Sequence, residues 1–342
     1  MERESVRAWG GEDARGDAPA AEAAAKGASR RHEVHAQRAP GGLGRGLSPQ
    51  PAEAGFAASR SEPVAAVSTA GAGATAAALE DTRRAFDGVA AEYDGPLGNN
   101  ALIRRMRARV RRELIATFPP GARLLDLGCG TGLDAAYLAA RGYRVVATDW
   151  SPGMVARTRE RAAAQGLEGA IDARVVGGHE LDRLAGERFD GIYSNLGPLN
   201  CVPDLAATAR ACARLLAPGG RLVASVIGRV CPWEFAYYTA RGDWARARLR
   251  RARGAVPVGL NGATVWTRYY TPREFAAAFA GGFAPTRYRA LGLFTPPPYL
   301  VGIERRARPL VAALDRLDDR LGALPLLRDA GDHFLIVLTR RD

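Results

Sequence analysis

The stretch LLDLGCGTG, residues 124–132, decides how the chain is read. Residues 123–127 form a short apolar run of strand length. Gly128, Gly130 and Gly132 then stand at alternate positions, and an apolar helical pattern begins at Leu133. Glycine lets the backbone take φ > 0 and approach a ligand closely. Seventeen residues past Gly132, a second apolar run (residues 144–148) ends at Asp149. A carboxylate at that strand end can accept hydrogen bonds from both hydroxyls of a ribose. Strand, glycine turn, helix, strand and acid together describe a nucleoside-binding half. The dinucleotide fingerprint GxGxxG would need its third glycine at position 133, which is Leu133. The spacing here is GxGxG, with Asp126 just before it. An acid there repels a pyrophosphate and suits a cationic amine, so a nicotinamide oxidoreductase is not favoured.

Outward from this unit, strands and helices alternate. Helices are expected over residues 133–141, 152–165 and 205–216, and strands over 144–148, 173–176, 189–194 and 221–227. Gly142 closes the first helix, and Ser151 with Pro152 starts the second. This rhythm predicts a doubly wound α/β fold with a mostly parallel sheet covered on both faces. Upstream, residues 85–94 and 101–118 read as helices, the latter stopped by Pro119-Pro120-Gly121. Past Gly228 the rhythm breaks. Helices are expected over 231–253, 271–279 and 304–321. Extended segments are expected over 264–270, 288–294 and 333–339. The pieces outside the alternation have the length of a lid over a pocket.

Residues 1–78 are rich in Ala, Gly, Pro and Arg and show no sustained apolar period. Such a segment cannot bury enough surface to offset its ordering entropy, so a disordered N-terminal tail is expected, with the folded domain over 79–342. Charges in MERESVRAWGGED occupy the place of a signal peptide's apolar stretch. No run reaches the roughly 20 apolar residues of a membrane span, and a cytoplasmic location is the default expectation. Cys129, Cys201, Cys212 and Cys231 show no CxxC spacing and no neighbouring His cluster, so free thiols and no metal site are expected. The net charge of +12 invites a nucleic-acid reading. However, Lys26 is the only lysine in the chain, a skew that points to codon usage rather than to a partner. The arginines of residues 104–112 and 241–253 read as solvated helix faces. The other reading is attraction to an anionic substrate or to a membrane surface.

The glycine motif with its preceding acid resembles motif I of the class I, Rossmann-like, S-adenosylmethionine-dependent methyltransferases. FDGVAAEYD (86–94) resembles the lid helix of their small-molecule members, and TDWSPGMV (148–155) their second-strand motif. FDGIYSN (189–195) resembles their fourth strand, and LLAPGGRLVASV (215–226) their turn into the fifth. The resemblance implies a seven-stranded sheet with an antiparallel last strand and S-adenosylmethionine as cofactor. In it, Asp126 and the loop backbone of Gly128, Cys129, Gly130 and Gly132 hold the methionine portion. Asp149 holds the ribose. Trp150 and Met154 pack on the adenine, Asn195 and Leu196 line the methionine end, and Tyr93 closes over the cofactor. Many relatives read the adenine amino group with an Asp after the third strand. Here that place holds Gly178, followed by His179, so the adenine is read by backbone or by His179. Because the last strand of the family runs backwards, its start lies at the active-site edge. Asp332-His333 starts it, which makes His333 a candidate general base or substrate contact, against the plainer reading of a structural histidine. PPPY (296–299) is not the NPPY-type motif of amino-methylating nucleic-acid enzymes, because it follows the sixth strand and not the fourth. The expected reaction is methyl transfer to O, C or N of a small aromatic or lipid-like metabolite. An RNA or DNA methyltransferase and a non-catalytic cofactor-binding protein are the rival readings.

Overall fold

The computed structural model describes residues 72–96 and 98–341; the tail expected over residues 1–78 lies, as far as residue 71, outside them. Two helices lead in, α1 (Ala72–Val89) and α2 (Ala101–Thr117). The alternating unit follows: β1 (Arg123–Leu127), α3 (Leu133–Ala139), β2 (Arg144–Asp149), α4 (Pro152–Ala164), β3 (Ile171–Val175), β4 (Phe189–Ser194), α5 (Leu205–Leu215) and β5 (Leu216–Ile227). Beyond it come α6 (Pro232–Thr239), α7 (Trp244–Arg248), β6 (Ala255–Leu260), β7 (Ala263–Arg268), α8 (Pro272–Phe279), β8 (Phe283–Leu291), α9 (Val301–Arg306), α10 (Arg308–Leu321) and β9 (His333–Arg340).

Seven strands form one sheet in the order β3-β2-β1-β4-β5-β9-β8. All neighbours among β1–β5 are parallel, and β9 runs antiparallel to both β5 and β8. Successive strand residues point to opposite faces, and here both faces are dry. Leu125, Ile192, Leu222 and Phe334 enter one core with Phe275 and Phe279. Leu124, Tyr193, Val223 and Leu335 enter the other with Val110, Leu114 and Leu138. Strands buried on both faces read as continuous apolar runs, which is why these segments stand out in the sequence. The chain order reverses between β1 and β4, and ligands of open α/β sheets bind at the carboxyl ends of strands at such a switch point.

Several boundaries differ from expectation. α1 starts seven residues inside the segment assigned to the tail, because its Ala-rich start has strong intrinsic helix propensity without any amphipathic period. It ends at Val89, and residues 90–96 form turns in place of the expected helix to 94. The helix expected over 231–253 is broken by Gly242 (φ 71°) into α6 and α7. The one expected over 304–321 is broken at Ala307, since Pro309 belongs in a first helical turn. β8 begins at Phe283, earlier than expected. Pro285 sits beside a bulge on this edge strand, where the missing N–H is tolerated. The extended segment near 264–270 proves to be half of a hairpin, β6 with β7. Asn261 and Gly262 turn it with φ of 47° and 83°, the positive values a type I′ turn requires.

Candidate functional site

A cavity of about 940 Å³ opens above the carboxyl ends of β1, β2 and β4, a volume near the upper end of small-molecule sites, ~300–1,000 Å³. Tyr93, Asp126, Gly128, Cys129, Gly130, Asp149, Trp150, Met154, Gly178, His179, Asn195, Leu196 and His333 all line it. Gly132 does not. It takes φ 77° at the start of α3, and a Cβ there would lie 2.8 Å from the Thr158 side chain, so this glycine serves the turn and its packing.

In the glycine turn, Gly130 donates its N–H to Asp149 Oδ2 at 2.9 Å, and Ser151 N–H donates to Oδ1 at 2.9 Å. Each oxygen keeps a lone pair. Burial raises the Asp149 pKa to about 6 in spite of these two bonds. A Cβ on Gly130 would meet nothing within 4 Å, so the backbone lies open to the cavity there. Asp126 is 2 % exposed, and its Oδ2 has no partner. Burial, with the neighbouring Asp134 charge, pushes its pKa well above the carboxylate range. Asn195 donates from Nδ2 to Asp134 at 2.8 Å, while its own Oδ1 is buried and unpartnered. Asp134 is tied to Arg107 and Arg111, and burial of its carboxylate is more than offset by those two cations, leaving its pKa low. Two orphaned acceptors thus face one corner of the cavity, and they suit a cationic amine such as that of the methionine portion of S-adenosylmethionine. Leu196 takes φ 62°, a conformation that costs a non-glycine residue roughly 1–2 kcal/mol. Its N–H donates to Ser225 Oγ, and Gly197 N–H donates to Ser225 O, which pins the strained turn at the cavity wall. Trp150 and His179 meet edge to face at 4.7 Å, and burial lowers the His179 pKa.

The segment 86–94 acts through residues the sequence reading passed over. Asp87 accepts from Ser151 Oγ and from Gly153 N–H, fastening α1 to the start of α4. Asp94 accepts from Thr131 Oγ1 and pairs with Arg161, fastening the following turn to the glycine loop.

The other half of the cavity is walled by residues of α1 and α2, of 234–250 and 298–308, and of the β6–β7 hairpin. Leu79, Phe86, Ile103, Met106, Val258 and Val265 supply apolar surface. His333 is 8 % exposed, and its Nδ1 lies 2.9 Å from Asp332 Oδ2. Arg250 Nη2 bonds Asp332 Oδ1 at 2.6 Å and Glu234 Oε2 at 2.7 Å, and Tyr299 donates to Glu234 Oε2 at 3.0 Å. Burial opposes the Asp332 charge, but Arg250 and His333 outweigh it and hold the pKa below the usual carboxylate range. Burial, with the Glu234 charge beside it, raises the Tyr299 phenol. Asn200, just past β4, locks backbone. Its side chain bonds Ile227 N–H and O and Arg268 O.

Residues 124–220 match the family model described as a methyltransferase domain. A ubiquinone biosynthesis O-methyltransferase of Cereibacter sphaeroides is 33 % identical over 202 residues, covering 55 % of this chain and 76 % of the relative. One from Methylocella silvestris is 30 % identical over 221 residues, covering 59 % and 79 %. Among solved structures, a Burkholderia thailandensis 1,6-didemethyltoxoflavin N1-methyltransferase with bound S-adenosylhomocysteine aligns with a TM-score of 0.49 at 22 % identity, covering 81 % of this chain and 94 % of that one. The glycine turn, the acid at the end of β2 and the two orphaned acceptors lie inside or beside the matched segment, and the chain belongs to the class I S-adenosylmethionine-dependent methyltransferases, with S-adenosylmethionine as its methyl donor.

Proposed function

We propose that this methyltransferase O-methylates a small metabolite with a largely apolar body and an ionisable hydroxyl, with His333 as general base. The observation that carries the reading is the His333–Asp332 pair on the wall of the cavity. The O-methyltransferase names of the relatives support transfer to oxygen. The apolar lining supports the nature of the acceptor's body.

S-adenosylmethionine, when bound, supplies a methyl group on a cationic sulfonium. Asp149 holds the ribose, and the glycine turn with Asp126 and Asn195 holds the methionine portion. Asp332, kept ionised by Arg250, accepts the Nδ1–H of His333 and so fixes the tautomer with a free Nε2. That nitrogen takes the hydroxyl proton as the oxygen becomes nucleophilic. The lid segments shut out water and hold the acceptor at attacking distance, which supplies most of the rate.

The test combines methyl-labelled S-adenosylmethionine, the full chain and a host-cell extract. Label is expected in the small-molecule fraction. His333→Gln should lose about 10²–10⁴-fold in kcat, the usual contribution of a general base, with affinity for S-adenosylhomocysteine unchanged. Undiminished turnover in His333→Gln would remove the base, and label confined to nuclease-sensitive material would remove the small acceptor.

A further inference from the structure

Most acids lining the cavity have partners. Asp94 pairs with Arg161, Asp134 with Arg107 and Arg111, and Glu234 and Asp332 with Arg250. Asp149 accepts two backbone N–H groups. Asp126 lacks a partner for Oδ2, and the methionine amine accounts for it. One carboxylate is left. Glu304, on α9, lines the cavity and is 5 % exposed, and it makes no hydrogen bond or ion pair with any described residue. The neighbouring Arg305 and Arg308, which also reach the cavity, are exposed to solvent.

A carboxylate that lines a cavity with no protein partner is free to take a cation from a ligand, and the fold holds this one in place. α9 packs against α2, and Asn100, the cap of α2, donates to Pro298 O at 3.1 Å just ahead of α9. Five residues before Glu304, Tyr299 is bonded to Glu234 and so joined through Arg250 to Asp332. Glu304 therefore stands on the lid side, apart from the glycine turn. Tyr238 and Tyr299 also line the cavity and stack at 6.4 Å, and aromatic faces attract cations.

We propose that Glu304 is a specificity-determining residue that binds a protonated amine on the acceptor, remote from the hydroxyl that is methylated. This rests on the small-acceptor reading above. An ammonium would satisfy the carboxylate with charge-assisted hydrogen bonds, which are stronger than those a neutral hydroxyl can give.

The test is binding, which His333 does not set, so it stands or falls separately from the general base. Isothermal titration of the full chain saturated with S-adenosylhomocysteine would use three matched probes: 4-butylbenzylamine, 4-butylbenzyl alcohol and 4-butyltoluene. The amine is expected to bind at least tenfold more tightly than either neutral probe. Glu304→Gln, nearly the same shape, should erase that preference and leave the alcohol's affinity within threefold. Glu304→Leu should erase it too while keeping S-adenosylhomocysteine binding, which reports an intact fold. An amine that binds no better than the alcohol, absence of binding included, overturns the proposal. So does a preference that survives in Glu304→Gln.

Discussion

Asp149 shows how burial and ligand recognition pull on a single residue. Its pKa of about 6 lies above the ordinary 3.8 because burial outweighs the two N–H groups that favour the charge. Between pH 4 and 6 the folded chain therefore keeps a proton that the unfolded chain releases. This group's contribution to stability is full at low pH and is lost as pH rises through 6. Ligand binding has the opposite slope. Ribose hydroxyls donate to the carboxylate, favour its charged form and expel the proton. Affinity for S-adenosylhomocysteine should rise with pH up to about 6.5, by at most about tenfold per unit for one proton released, and then flatten. Titration calorimetry in two buffers of different ionisation enthalpy measures the proton released. In Asp149→Asn the component centred near pH 6 should vanish along with much of the affinity. If it persists there, another group carries it.

At the scale of the element, the glycine turn separates residues that fold the chain from residues that admit the ligand. A Cβ on Gly128 would stand 2.2 Å from Pro198 Cβ, with φ already at 78°. Gly128→Ala should cost about 2–5 kcal/mol, the sum of overpacking and a left-handed residue, and thermal unfolding would show it. Gly130 meets nothing within 4 Å and pays only for φ 54°. Gly130→Ala should therefore lose only the roughly 1–2 kcal/mol of a left-handed residue, a smaller drop in unfolding temperature than Gly128→Ala shows, and yet bind S-adenosylhomocysteine at least tenfold more weakly, because its methyl occupies the cavity. Wild-type affinity in that variant would sever the turn from the cofactor. This motif, the mostly parallel sheet around it and the acid at the end of β2 were legible because each demands particular residues in a fixed pattern. The lid was less legible. Three of its helices, α6, α7 and α9, are short, cut off at Gly242 and Ala307, and too brief for a 3.6-residue period to emerge. The β6–β7 hairpin did carry a signal, Asn261-Gly262 between β-rich flanks, but residues 254–263 were left unassigned and only the second strand was read as extended. Glu304 carried none. Its meaning comes from the partner it lacks, and only the packed structure shows that.

For the molecule as a whole, the question left by a net charge of +12 is where the arginines spend it. On α2, Arg104 is exposed and the other five pair with acids. Arg105 and Arg109 pair with Asp315, Arg109 and Arg112 with Asp319, and Arg107 and Arg111 with Asp134. In the second cluster Arg250 is buried among Glu234 and Asp332, and Arg248 and Arg251 lie over Trp244 and Phe235. Beside the two sequence readings of the α2 cluster, a solvated face or an anion-attracting one, its ion pairs make a charged seam that ties α2 to α10 and α3. Such a seam neutralises its own field and offers a phosphate backbone little. Nucleic-acid affinity should then be weak in the wild type, with a shallow dependence of log K on log salt. Asp315→Asn with Asp319→Asn would release Arg105, Arg109 and Arg112. For single-stranded RNA the slope should steepen by about 0.7 for each arginine that gains a phosphate contact. Fluorescence anisotropy of a labelled oligonucleotide over a salt series reads this directly. A steep slope in the wild type, unchanged in the double variant, would mean that the binding charge lies elsewhere on the surface and would return the nucleic-acid reading to contention.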